Sequence, residues 1–460
     1  MTRITTSPVL QISIVAAWLF AALVAFPFAS KVNQDLDTAA SLKGSESAQV
    51  EADLKQRFKS PFTKIALLRI ASAPDPRTAE GGILLSQTVD AVKTASGVEA
   101  VLSYADHDDE LFLAQDASPI IVVGVSSASS GDGVMNGLRA VTGELRLKFL
   151  SQYPALEFRW TGEAAVSADI RRLSAASTRF AELCVLPVTS LLLIMAFRSV
   201  IAASLPILCG ILTIWISLGV LALLNRIWPC SIIVVSIVSM VGLGLSIDYA
   251  LLMVSRYHEA LLKGQAKVAA ASEAAREAGR TVAISGSAVA IGFAAMLIVP
   301  VSEVRSIGIG GLVVTAIAVL AANTLLPVIL PRIDPHIGAG ALTSAQSTAS
   351  GRYWRRWAAW LSGRPIMVLI IAGVPLIVLA AQAANLRTDL PRGRWLPESA
   401  DSVLALHEID AVARGNFGQI INLVLELPPP ATIQDESGWR AVSRLVRHYA
   451  RDPRIAHVWS

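Results

Sequence analysis

Asp248 lies in the segment Gly242-Leu-Gly-Leu-Ser-Ile-Asp-Tyr249, as the one fully charged group in an apolar run from 230 to 254. If that run is helical, Arg256 follows eight residues later, which sets Asp248 roughly 12 Å from one end of a hydrocarbon core about 30 Å thick. A lone carboxylate at that depth costs at least about 2.5–3.5 kcal/mol on insertion scales. Hydrocarbon favours its neutral form, so such a group is suited to taking up and releasing a proton. The plainer alternative is a structural hydrogen bond between helices, but the cost of keeping the acid argues for function.

Several residues around it could serve the same chemistry. The Tyr249 phenol could donate to the site, or simply pack. Gly242, Gly244 and Ser246 are small enough to let another helix approach, which predicts that Asp248 faces protein and not lipid. Ser285, Gly286 and Ser287 of the next apolar stretch are candidate neighbours, although serines in spanning helices often satisfy local carbonyls.

Other chemistry is absent from the pattern. No GxxxxGK[ST] motif is present, so there is no evident ATP motor, and Gly308, Gly310 and Gly311 fall inside an apolar stretch where helix packing explains them. No GxSxG or HExxH occurs, and the histidines at 107, 258, 336, 407, 448 and 457 are scattered. Cys184, Cys209 and Cys230 lie within or at the ends of apolar runs without CxxC spacing, as packing residues do. The expectation is a protein that is not an enzyme, with no cofactor and no metal.

The elements that must hold Asp248 are membrane helices. Of the 460 residues 53% are hydrophobic and 16% charged, the balance of a polytopic membrane protein with soluble parts. A net charge of +4 gives no case for nucleic acid. Seven stretches approach the roughly 20 apolar residues that a span needs: 9–29, 182–198, 200–224, 230–254, 281–300, 306–330 and 366–384. The first exceeds the 7–15 residues of a signal-peptide core, so it reads as an uncleaved helix.

Basic residues concentrate at 256–280 (Arg256, Lys263, Lys267, Arg276, Arg280) and at 331–365 (Arg332, Arg352, Arg355, Arg356, Arg364). The positive-inside rule makes those loops cytoplasmic, and alternation puts residues 1–8 inside with 30–181 and 385–460 outside. Within the 331–365 linker, Trp354, Trp357 and Trp360 recur every third residue among arginines, as in a helix lying at the interface.

The 30–181 segment reads as a soluble α+β domain of order βαββαβ, the ferredoxin-like plan, with strands at 65–70, 98–104, 119–126 and 156–160 and helices at 79–96 and 133–152. The segment 385–460 begins to repeat it. Ser45-Glu-Ser-Ala48 before the strand at 65–70 is echoed by Pro397-Glu-Ser-Ala400 before a strand expected at 421–427, followed by a helix at 436–451 and a strand at 455–460. A domain of that kind cannot bury its sheet with two strands, so a second half carrying five further spans is expected beyond residue 460. Duplication around a set of spans is a common transporter plan.

These stretches together resemble the MMPL branch of the resistance–nodulation–division (RND) superfamily: TGEAAVSADI (161–170), AFRS (196–199), GLGLSIDYALLMVSRYHEAL (242–261), VRSIGIGG (304–311) and NTLLPVIL (323–330). The resemblance covers essentially the whole chain as the N-terminal half of such a transporter, with the outer domain as its porter domain and 182–330 as a five-helix bundle. It implies that Asp248 and Tyr249 form part of a proton relay completed by an equivalent pair in a second half or an oligomeric partner. It further implies proton-driven export, or movement between leaflets, of a lipid or other hydrophobic cargo at the bacterial inner membrane. The rival expectations are a lipid- or sterol-sensing protein of the same superfamily and a truncated, non-functional fragment.

Overall fold

The computed structural model describes residues 8–36, 45–126, 131–197, 199–337, 355–383, 396–412, 421–427, 432–452, 455 and 458. The chain opens with a long apolar helix, α1 (Pro8–Asp35), and enters the outer domain through α2 (Glu46–Gln56), whose first turn is capped by Ser45 Oγ accepting from the Ala48 N–H. Then come β1 (Ile65–Ala71), α3 (Ala79–Lys93), β2 (Val98–Leu102), β3 (Ile120–Val125), α4 (Gly131–Phe149) and β4 (Glu157–Thr161). The order is the predicted βαββαβ. The strands form one antiparallel sheet in the order β2-β3-β1-β4, the ferredoxin-like arrangement.

Alternation along β1 shows why this sheet is covered on both sides. Ala66, Leu68 and Ile70 point to one face and pack with Ile121 and Val123 beneath α3 and α4. Leu67 points the other way and joins Phe112, Ile120 and Val122. That second face is closed by Ile409, a fully buried residue from far along the chain.

β4 passes into the next helix through Gly162, whose φ of +88° suits glycine, and a Cβ there would lie 2.9 Å from the Ile65 carbonyl oxygen. The turn therefore couples the sheet directly to α5 (Glu163–Phe197). After it come α6 (Val200–Leu224), α7 (Ile233–Leu262), α8 (Lys267–Met296), α9 (Ser302–Thr324), α10 (Leu326–Ile337), a short helix α11 (355–363) and α12 (Pro365–Ala383). Counting α9 and α10 together, seven helices among the described residues are long and apolar enough to cross a membrane, and each overlaps one of the seven apolar stretches. On α11, Trp357 and Trp360 are exposed, and Arg364 lies 6.0 Å from the Trp360 ring centroid. Trp354 lies outside the described residues.

The spans α1, α6, α7, α8 and α9 pack into a bundle through small residues. A Cβ on Gly219 of α6 would come within 2.5 Å of the Ala25 Cβ of α1, and Gly310 of α9 seats Val234 of α7. Polar ties add to this: the Trp18 Nε1–H donates to Thr324 Oγ1 at 3.0 Å, joining α1 to α9.

After α12 the repeat resumes only partly among the described residues. The expected helix is present as α14 (Glu436–Tyr449), and an unanticipated helix, α13 (Asp401–Val412), precedes it. The strand expected at 421–427 is not formed: those residues carry no strand and pair with none of the four strands among the described residues. Most of the strand expected at 455–460 lies outside the described residues.

Helix α13 lies on the first domain's sheet. Glu408 accepts from Arg69 Nη1 at 2.9 Å, the Thr161 hydroxyl donates to the Ser402 carbonyl at 2.8 Å, and the Ser402 N–H donates to Asp169 Oδ2 at 3.3 Å. Arg69 is itself buried in β1 and also pairs with Asp116 at 2.8 Å. Burial opposes ionisation of Asp116, yet hydrogen bonds from the Ser118 hydroxyl, its N–H and the Arg69 guanidinium outweigh it and hold that carboxyl below the usual range.

Candidate functional site

Four faces of α7 have four different fates. Towards α9, Gly242 leaves room for Val314, whose Cγ2 would lie 2.9 Å from an added Cβ. Towards α6, Leu243 and Ser246 pack on Gly210, and the Ser246 hydroxyl donates to Thr213 Oγ1 at 3.1 Å in a buried contact. Towards α8, Tyr249, Met253 and Tyr257 pack with Ala270, Ala274, Ala278 and Val282. The fourth face is an uncovered stripe of Met240, Gly244, Asp248, Leu251 and Ser255, spaced at helical intervals of three and four.

Asp248 is thus exposed, and it makes no hydrogen bond or ion pair among the described residues. A Cβ on Gly244 would meet nothing within 4 Å. The expectation that Asp248 faces other helices is not met by any described helix of this chain. The reason is geometric: Gly242 and Gly244 are two residues apart and point to nearly opposite sides of α7, so the first seats α9 and the second stays open.

Tyr249 takes the opposite course. It is 6% exposed, and a Cβ on Gly286 of α8 would lie 3.4 Å from its Oη. Among the described residues that oxygen is enclosed without a hydrogen-bond partner, as are Thr315 Oγ1 and Asn323 Oδ1 of α9. Leaving such atoms unpaired costs about 1–3 kcal/mol each. Of these three buried polar groups, sequence reading missed Thr315 and Asn323. Their only signal was polarity inside the apolar run that follows Ser306 in α9, where Thr315 stands alone and Asn323 lies eight residues further on.

Ser285 and Ser287, predicted neighbours of Asp248, instead bond their own helix, to the Val282 and Ala283 carbonyls at 3.1 and 2.7 Å. The predicted set therefore separates. Gly242 and Ser246 secure α7 within the bundle, Tyr249 lies buried, and Asp248 with Gly244 faces outward. Among the described residues no cluster of three or more His, Cys, Asp or Glu is placed to hold a metal ion.

A family model described as the MMPL family matches residues 39–368. Among curated proteins, the mycolic acid-containing lipids exporter MmpL11 of Mycolicibacterium smegmatis is 27% identical over 67% of this chain and 33% of its own length. The trehalose monomycolate exporter MmpL3 of the same species is 26% identical over 54% of the chain and 23% of its own length. The heme uptake protein MmpL11 of Mycobacterium tuberculosis is 31% identical over 48% of the chain and 23% of its own length. The matched part of the chain thus spans a third or less of these relatives.

Proposed function

The chain belongs to the MMPL family, and from that membership we propose that this multi-pass membrane protein moves a lipid or similarly hydrophobic molecule at the bacterial inner membrane, driven by protons bound at Asp248. The observation that carries the reading is the outward stripe on α7, where a single acid sits beside a glycine with open space over it. A carboxylate held against lipid is costly. The stripe is the seat of another helix, from elsewhere in the same protein or from a second copy, and that helix encloses the acid. Protonation of Asp248 then changes how the two bundles fit, and the rigid turn at Gly162 passes the movement to the sheet domain.

The arginine-rich segments at 256–280 and after α10 favour a cytoplasmic placement for that side, with residues 1–8 inside and the sheet domain outside. Relatives whose names identify them as exporters of mycolic acid-containing lipids and of trehalose monomycolate support lipid cargo. A sensor that binds lipid without moving it would keep ligand binding and lose nothing when Asp248 is neutralised. The test is an Asp248→Asn allele scored for lipid reaching the cell surface, with protein level in the membrane fixed. Export that falls to the level of a deletion supports the pump; unchanged export removes it.

A further inference from the structure

At the sheet-domain end of the bundle, α5 and α7 diverge and leave a cavity of about 150 Å³. Arg171, Thr178, Arg179 and Glu182 of α5 line one side, with Val235 and Ser239 of α7 on the other. Two guanidinium groups against one carboxylate make the lining net positive. Arg179 forms no ion pair among the described residues, while the Thr178 and Ser236 hydroxyls, 3.2 Å apart, tie the two helices together beside the cavity.

The cavity sits where α5 changes character. Residues 183–197 carry no charge, and Phe180, Leu183, Val188 and Leu191 stand exposed along this part of the helix. Such a change from charged to uncharged, outward apolar surface is what the boundary between headgroup layer and hydrocarbon requires of a spanning helix. At about 150 Å³ the cavity is smaller than the roughly 300–1,000 Å³ that encloses a drug-sized ligand. It has room for a phosphate-bearing headgroup and not for the chains.

We propose that this cavity holds the headgroup of an anionic phospholipid from the leaflet on the sheet-domain side. Arg171 and Arg179 contact the phosphate, for which the planar guanidinium is well shaped. The Thr178 and Ser239 hydroxyls supply neutral partners, and the acyl chains lie along the apolar face of α5. Such a lipid fills the gap between α5, which leads rigidly from the sheet, and α7, which carries Asp248. The binding is independent of whether Asp248 moves protons, so the two ideas fail separately.

The test is native mass spectrometry of the purified full protein titrated with phosphatidylglycerol, with diacylglycerol, and with sn-glycerol 3-phosphate. Phosphatidylglycerol should be retained on the order of tenfold better than diacylglycerol, and glycerol phosphate alone should not bind. Arg171→Gln with Arg179→Gln should abolish the preference, whereas Arg172→Gln, next in sequence but outside the lining, should keep it. If the double variant does not fold, Ser174→Leu fills the cavity without changing charge and should also abolish the preference. Equal retention of both lipids, or equal loss in Arg172→Gln, would overturn the assignment. Glycerol phosphate binding as tightly as the phospholipid would also overturn it, by making the site one for soluble phosphate.

Discussion

Asp248 and Tyr249 are adjacent in the chain and part company in space: the carboxylate lies on the uncovered stripe of α7, while the tyrosine ring is buried with its Oη against Gly286. Consecutive helical positions differ by about 100°, so one side chain can look outward while the next enters the bundle. The pair therefore joins two environments through a single turn of helix. Of the two, only Tyr249 places its polar atom inside the bundle, where Oη is buried without a hydrogen-bond partner among the described residues.

Tyr249→Phe is expected to leave the fold intact or raise its thermal stability slightly. It removes an enclosed hydroxyl that has no partner among the described residues, a group costing about 1–3 kcal/mol when buried. If the hydroxyl serves the relay, export falls despite the stable fold. Parallel thermal unfolding and cell-surface lipid measurements separate these effects.

Gly244 and Gly310 test which faces of α7 are occupied. Gly310→Val places methyls against Val234 and should cost about 1–3 kcal/mol through overpacking, seen as lost membrane-inserted protein. Gly244→Leu meets open space in this chain and should insert normally. Its export should nevertheless fail, because the side chain occupies the seat of the helix proposed to cover Asp248.

The legibility of this protein in its sequence follows from how local each signal is. A span is a continuous apolar run, and the seven long helices lie where such runs are. The βαββαβ order could be read from alternation within each strand, as in Ala66, Leu67 and Leu68. Helix α13 could not be placed on the sheet that way, because its anchor is Glu408 reaching Arg69 across more than three hundred residues. The presence of a lone acid, Asp248, in an apolar run was equally plain, since charge in such a run is visible at once. Its direction was not, because facing depends on which neighbours occupy the other sides of α7.

The contact of α13 with the sheet should loosen on removal of one charge. Glu408→Gln weakens one of two ion pairs to a buried arginine and should cost about 1–3 kcal/mol. The expected sign is faster proteolysis at 401–412, with little change within the spans. Arg69→Met removes the buried charge as well as its partners' contacts, and comparison of the two variants apportions the cost.

The same cluster predicts an acid limit. Asp116 has its carboxyl held below the ordinary value, so its ionised form stabilises the folded domain above the unfolded-state value of 3.8. That contribution is lost as pH falls through the lowered folded value. Unfolding of the sheet domain should therefore steepen below about pH 4, and Asp116→Asn should blunt the steepening. Circular dichroism against pH checks both.

The most direct measurement compares cell-surface lipid in strains carrying wild-type, Asp248→Asn and Asp248→Glu alleles at matched membrane abundance, with and without a protonophore. With proton binding at Asp248 as the driving step, the asparagine allele matches a deletion, the glutamate allele retains part of the export, and the protonophore abolishes what remains. Wild-type export from the asparagine allele would contradict the account.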